Sequence, residues 1–267
     1  MSNSPDIRGM LDGWPVDPSH EVRMVRGDDG REILQVRLPL GLQQCETTGR
    51  PDGRRPRGRE SFLEYYYNRI TRALARKRKQ GTQLNSSECY ELFEEAALYN
   101  MRSHWLGQLH EWRRAATDLQ HVLRILDLVN RYAANANDRA GMELYRVFFL
   151  GRETEALARH AVSCKHYDEA LDVLRDGIHR ISAMPETYEQ PFDSERKRVL
   201  AALRRLLADI QKKRPISEIE RLERRLKRAI KEQAFEQAAQ LRDRIRLLRK
   251  AARKGGAGPS QKSAGIP

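Results

Sequence analysis

Between Ile216 and Lys250, apolar positions recur at three- and four-residue steps in two blocks, and each block predicts one amphipathic helix. The first block sets Ile219, Leu222, Leu226, Ala229 and Ile230 on one face. The second does the same with Phe235, Ala238, Ala239, Leu241, Ile245 and Leu248. Pro215 interrupts any helix arriving from upstream, and Ser217 with Glu220 has the S-x-x-E spacing of a capping box. The small pair Ala238 and Ala239 lets another backbone approach closely, and Phe235 supplies a large apolar plug at the turn. Two short antiparallel helices cannot bury both apolar faces alone, so the pattern predicts a docking hairpin over residues 215–254. The tail at 255–267 is rich in Gly, Ser, Ala and Pro and is expected to be disordered.

Upstream the periodicity changes. Residues 1–20 are polar and turn-rich, with Trp14 beside Pro15 and Pro18, and read as disordered or loop. Glu21 to Arg26 and Arg31 to Leu40 read as two strands joined at Asp28-Asp29-Gly30, a hairpin signal. Leu34, Val36, Leu38 and Leu40 give the second strand a mainly apolar face. An isolated hairpin is marginal in water, so that face should pack on the helices that follow. Gly49 to Gly58 is a loop crowded with Arg50, Arg54, Arg55 and Arg57, with Arg59 just beyond. Fork-shaped guanidinium donors suit a phosphate, and an exposed linker is the commoner use of such a loop. Residues 21–58 thus form a β-hairpin with an arginine-rich loop.

Residues 59–213 read as a helical bundle. Glu60 to Lys79 places Phe62, Tyr66, Ile70 and Leu74 on one stripe and ends at Gly81. Tyr65, Tyr66 and Tyr67 beside Arg69 and Arg72 resemble a stacking surface for bases, although packing against the hairpin is the plainer reading. From Asn85 to Ala183 helices follow one another. Asn85 or Ser87 caps the first, Asn137 or Asp138 caps another, and Asp193 opens the next segment. In that last helix Val199, Leu200, Leu203, Leu206, Leu207 and Ile210 face inward, before the charged break Lys212-Lys213-Arg214.

Two helix pairs within this stretch resemble degenerate tetratricopeptide repeats. Tyr99, Leu106, Trp112, Ala115, Leu119 and Val122 fall at the packing positions of one, and Leu157, Ala161, Tyr167, Ala170, Leu174 and Gly177 at those of the other. Trp112 and Tyr167 are 55 residues apart, against a period of about 34 for a regular array. The resemblance supports a tetratricopeptide-like bundle and not a solenoid with a peptide groove.

The C-terminal pattern carries a more specific likeness. Leu222-Glu223, Leu226, Ala229, Phe235-Glu236, Ala238-Ala239, Leu241-Arg242-Asp243, Ile245 and Leu248 resemble the UVR motif, with Leu226 where the family often has Met. That motif is the helical hairpin through which the excision-repair proteins UvrB and UvrC meet, and it recurs in bacterial stress adaptors. The resemblance implies a partner with a UVR-like hairpin, or a second copy of this chain. Contacts would centre on Leu222, Leu226, Phe235, Ala238, Ala239 and Leu241, with Glu236, Arg242 and Asp243 setting register through charged hydrogen bonds.

Charge adds an alternative. The chain has a formal charge of +13, and residues 196–254 hold 21 Lys or Arg against 7 Asp or Glu, an excess of 14. Such a local excess attracts polyanions at low salt. Lys212, Lys213, Arg214, Arg224, Arg225, Lys227 and Arg228 would then neutralise phosphates without reading sequence. A solvated helix face explains the same charges, and no known base-reading module occurs.

Other chemistry is sparse. No G-x-x-x-x-G-K-[ST] run occurs, and neither nuclease signature of UvrC is present. His160, Cys164 and His166 lack a further strong ligand nearby, so helical packing is expected of them rather than metal binding. Nor does the chain contain the paired cysteines with which UVR stress adaptors hold zinc. Cys45, Cys89 and Cys164 form no C-x-x-C pair, which fits reduced thiols. With no signal-peptide core and no apolar run of membrane-spanning length, a soluble cytoplasmic protein is expected. The sequence thus predicts a mainly α protein: an N-terminal β-hairpin on a tetratricopeptide-like bundle, then a basic helical hairpin. Its expected role is that of a non-enzymatic bacterial scaffold or adaptor, without metal or cofactor, in DNA repair or a stress response. The alternative is a nucleic-acid-binding accessory protein.

Overall fold

The computed structural model describes residues 7–17, 21–78, 80–185, 190–216 and 218–255, so the capping-box Ser217 and the tail beyond Gly255 lie outside them. Helix occupies 68% of the chain, which is therefore mainly α. It divides into two compact units, Met1–Lys212 and Lys213–Pro267. No helix among the described residues is long and apolar enough to cross a membrane.

The first unit opens with a short helix, α1 (Arg8–Asp12), and then Trp14, which is buried. The expectation of loop throughout this region misses both. The Arg23 guanidinium lies 3.9 Å above the Trp14 ring, and buried Arg37 donates through Nε to the Trp14 carbonyl at 2.7 Å. Three strands follow, β1 (Val22–Arg26), β2 (Glu32–Leu38) and β3 (Gly41–Glu46), paired antiparallel in that order. The first turn is the expected one, with Gly30 at φ 78 and Arg31 N–H on Asp29 Oδ1 at 3.0 Å. The second strand stops two residues early because Pro39 has no N–H for the ladder, and Pro39-Leu40 becomes a two-residue turn into β3. Leu38 and Leu40 are consequently exposed, whereas Leu34, Val36 and Cys45 point into the main core.

The arginine loop is not a free linker. Arg50 is half-buried and reaches Glu95 Oε2 at 3.1 Å, and Arg57 stacks 4.8 Å above the Tyr65 ring while pairing with Glu91. Glu95 is fully buried and accepts from the backbone N–H groups of Phe62 (2.7 Å) and Leu63 (3.1 Å). It therefore caps α2 (Phe62–Ala75) from across the core, together with Ser61 at the N-cap. Of the three tyrosines, Tyr66 is a core residue, Tyr65 is half-buried and Tyr67 is exposed. The base-stacking surface of three rings does not form. The helix ends four residues before Lys79 because Lys77 turns left-handed (φ 51) and Arg78 N–H closes on the Ala73 carbonyl.

The bundle consists of α3 (Ser86–Gln108), α4 (Trp112–Tyr132), α5 (Ala136–Glu143), α6 (Arg146–Ser163), α7 (Tyr167–Ser182) and α8 (Gln190–Lys213). Asn85 and Glu88 make a reciprocal capping box on α3. The α5 cap is Asn135 rather than Asn137 or Asp138, because its side chain reaches Asn137 N–H at 2.9 Å. Asp193 sits in the first turn of α8, which begins three residues earlier. Helix α4 packs between α3 and α6, and α7 packs on α6. The residues aligned with tetratricopeptide packing positions are buried or half-buried, but α3 and α4 run to 23 and 21 residues and α5 interrupts the series. The arrangement is a helical bundle.

Close helix approach in this bundle depends on two glycines. A Cβ at Gly177 of α7 would collide with Thr154 of α6, and one at Gly151 with Val199 of α8. Gly177→Ala is expected to lower stability by about 1–3 kcal/mol through overpacking. A urea midpoint equal to that of the parent would show that Thr154 moves aside at no cost.

Candidate docking hairpin

In the second unit, α9 (Glu218–Lys231) and α10 (Phe235–Gly255) form an antiparallel hairpin. Its turn is Glu232-Gln233-Ala234. Gln233 adopts φ 57, and Ala234 N–H closes on the Ala229 carbonyl at 2.9 Å. The left-handed residue satisfies carbonyls at the end of α9 and reverses the chain in three residues. Glu218 of α9 faces Arg244 of α10 at 3.5 Å, and Arg214 binds Glu220 at 2.7 Å.

The nine residues expected to bind a partner fall on two different faces. Ala238 and Leu241 are buried with Ala229 in the seam between the helices, and half-buried Leu222, Leu226 and Ala234 close it. Phe235, Glu236, Ala239, Arg242 and Asp243 are exposed. The Ala238-Ala239 pair is therefore split: Ala238 lets α9 approach, and Ala239 looks outward beside Phe235. Phe235 does not plug its own turn. It is 70% exposed, and Ile230 and Leu247 are 55% and 66% exposed. A seam this small holds the hairpin shape and leaves its largest apolar group in water.

The bundle contains two hairpins of the same construction. Leu109-His110-Glu111 joins α3 to α4 and Cys164-Lys165-His166 joins α6 to α7, each with a left-handed middle residue at φ 59 and 63. In all three hairpins an aromatic residue starts the second helix, and a buried alanine follows three positions later. The pairs are Trp112 with Ala115, Tyr167 with Ala170, and Phe235 with Ala238. Trp112 and Tyr167 are half-buried, and Trp112 has Arg159 of α6 stacked 5.2 Å above its ring. Phe235 occupies the same structural position with nothing of its own hairpin over it. The match of Trp112 and Ala115 with Tyr167 and Ala170 was readable in the sequence, but that Phe235 and Ala238 join them is visible only once the turns are known.

The seven basic candidates also separate. Lys212 and Lys213 end α8, Arg214 is engaged by Glu220, and Arg224, Arg225, Lys227 and Arg228 are exposed on α9. Elsewhere, Cys164 and His166 are exposed and His160 is half-buried, so packing does not explain this trio as expected; His166 instead pairs with Glu169 at 3.2 Å. His160 lies in the last turn of α6, and Cys164 and His166 lie in the exposed turn that follows it. Among the described residues no cluster of three His, Cys, Asp or Glu is placed to hold a metal ion. Cys45 and Cys89 are buried, which pushes both thiols up to about 11.

No curated protein and no solved structure matches the chain. A family model described as UVR, the UvrB/uvrC motif, matches residues 216–251, the span that holds both helices of the hairpin up to its last turn. The C-terminal hairpin of this chain carries a UVR motif.

Proposed function

We propose that this protein is a non-enzymatic scaffold or adaptor. Its UVR hairpin docks on a UVR-type hairpin of a partner protein or of a second copy of itself. The observation that carries this reading is Phe235, 70% exposed at the start of α10 on a hairpin whose own seam buries only small and medium side chains. Covering a Phe contributes roughly 1.5–3 kcal/mol, a gain that the hairpin by itself does not make. The bundle supplies a template for the cover, because a neighbouring helix already lies over Trp112 at the equivalent position. Ala239, beside Phe235, keeps the approach free of bulk, and Glu236, Arg242 and Asp243 ring it with charges that can fix register. The motif suggests DNA repair or a stress response as the setting.

A peptide of residues 213–255 tests this directly. At about 40 residues it has too little core to be stable as a monomer. Its helicity by circular dichroism is expected to rise with peptide concentration, while residues 1–212 melt cooperatively near the temperature of the whole chain. Full helicity at every concentration would mean that the hairpin needs no partner.

The exposed basic side chains of α9 support a second reading, in which the hairpin adds sequence-blind contacts to nucleic-acid phosphates. Weak binding that fades toward physiological salt fits an auxiliary role. Tight binding that persists there would make nucleic acid the main partner.

A further inference from the structure

A pocket of about 300 Å³ at the end of α2 is lined by Arg59, Arg69, Arg72, Arg76 and Arg78, with Tyr65 on its wall and no Asp or Glu in its lining. Tyr65, Arg69, Arg72 and Arg76 succeed one another at steps of four, three and four. One helix face therefore presents them over about 16 Å. Two of the five charges are answered nearby: Arg59 lies 3.6 Å from Glu64, and Arg69 is held by Glu88 and by the Gln83 carbonyl at 2.9 Å. Arg72, Arg76 and Arg78 are exposed and have no carboxylate within ion-pair distance among the described residues. The C-terminal end of α2 contributes roughly half a negative charge, which three uncompensated guanidinium groups outweigh.

We propose that this pocket binds the backbone phosphates of a single-stranded nucleic acid. The site belongs to the first unit and does not depend on the UVR hairpin. Guanidinium forks pair with phosphate oxygens through two parallel hydrogen bonds. Charges strung along a helix face match successive phosphates of a polymer better than they match one compact anion. Arg57 covers one face of the Tyr65 ring, and the part of the ring that lines the pocket is where a base would stack. An acidic peptide is the competing occupant of such charge, but among the described residues Ala73 is the only aliphatic side chain in the lining, so a peptide finds no apolar anchor there.

The test uses the full chain and a fluorescent oligothymidylate of about twelve nucleotides, titrated by anisotropy over a salt series. Arg72→Gln with Arg76→Gln removes two exposed charges and keeps good helix formers on α2. The double variant is expected to bind about tenfold or more weakly near 0.1 M salt. Its salt slope should be shallower by about 1.4, near 0.7 for each lost phosphate contact. The same loss must appear in a background of Arg224→Gln and Arg225→Gln, which separates this site from any contact made by the hairpin. If the double variant melts early, Arg78→Gln alone is expected to give about half the change in slope. Unchanged affinity and slope in the folded variants would overturn the proposal. So would an equal loss of binding to polyglutamate, or a nucleoside monophosphate that competes as well as the oligonucleotide at equal phosphate concentration.

Discussion

Phe235→Ala is expected to abolish docking while leaving the thermal unfolding of the bundle unchanged. The side chain makes no contribution to the hairpin seam of Ala229, Ala238 and Leu241, so its removal costs the free protein little. In an assembled pair the same truncation leaves a cavity, and loss of a buried Phe typically costs about 3–5 kcal/mol. That corresponds to roughly a 100- to 4,000-fold weaker complex, enough to dissolve a micromolar contact. Leu241→Ala provides the contrast. Leu241 is buried within the seam, so its loss should first reduce the helicity of the hairpin and only through that weaken docking. If Phe235→Ala binds with parental affinity, the outer face of α10 is not the docking surface.

The second large effect concerns the bundle and not the hairpin. Arg102 reaches Asp118 with two parallel hydrogen bonds of 2.7 and 2.8 Å and donates to the Glu46 carbonyl at 2.8 Å. Both side chains are buried, so this one arginine ties β3 to α3 and α4. Arg102→Met should cost about 3–5 kcal/mol, because it leaves the Asp118 carboxylate buried without its partner. Adding Asp118→Leu should restore much of that loss, since an apolar pair of similar volume needs no compensation. Urea unfolding of the two single variants and the double variant measures this coupling. Additive losses would mean that the pair does not act as a unit.

The elements whose apolar faces repeat at regular steps were legible from sequence, and the reasons for the misses are local. The stripes of α2, α4 and the hairpin are carried by Tyr66 and Ile70, by Leu119 and Val122, and by Leu226 and Leu241. Asn85 was one of two candidates for the α3 cap, and the structure decides for it through the reciprocal bonds with Glu88. The β3 strand gave no alternating signal, since Gln43 and Gln44 interrupt it beside a one-residue apolar step. Helix ends at Lys77, His110, Lys165 and Gln233 lack the glycine that usually marks a left-handed cap, so the three-residue turns were hidden.

Long-range polar contacts were beyond reach for a different reason. Glu95 meets Arg50, His121 and the start of α2 only after the chain has folded, and no spacing in the sequence joins positions so far apart. At the docking site the motif was readable, but the division of labour within it was not. Neighbours Ala238 and Ala239 differ by one step of a helix, and only the position of α9 decides which of them is buried.

The central claim is that the hairpin is the part of this protein that docks. Capture from a lysate of the source cells, quantified after cross-linking, tests it with three baits: the full chain, Phe235→Ala, and a chain ending at Lys212. The account predicts that the full chain retains a protein with a UVR-type hairpin, or a second copy of itself, and that both altered baits lose it. Retention of the same partner by the chain ending at Lys212 would contradict the account, because docking would then belong to the bundle.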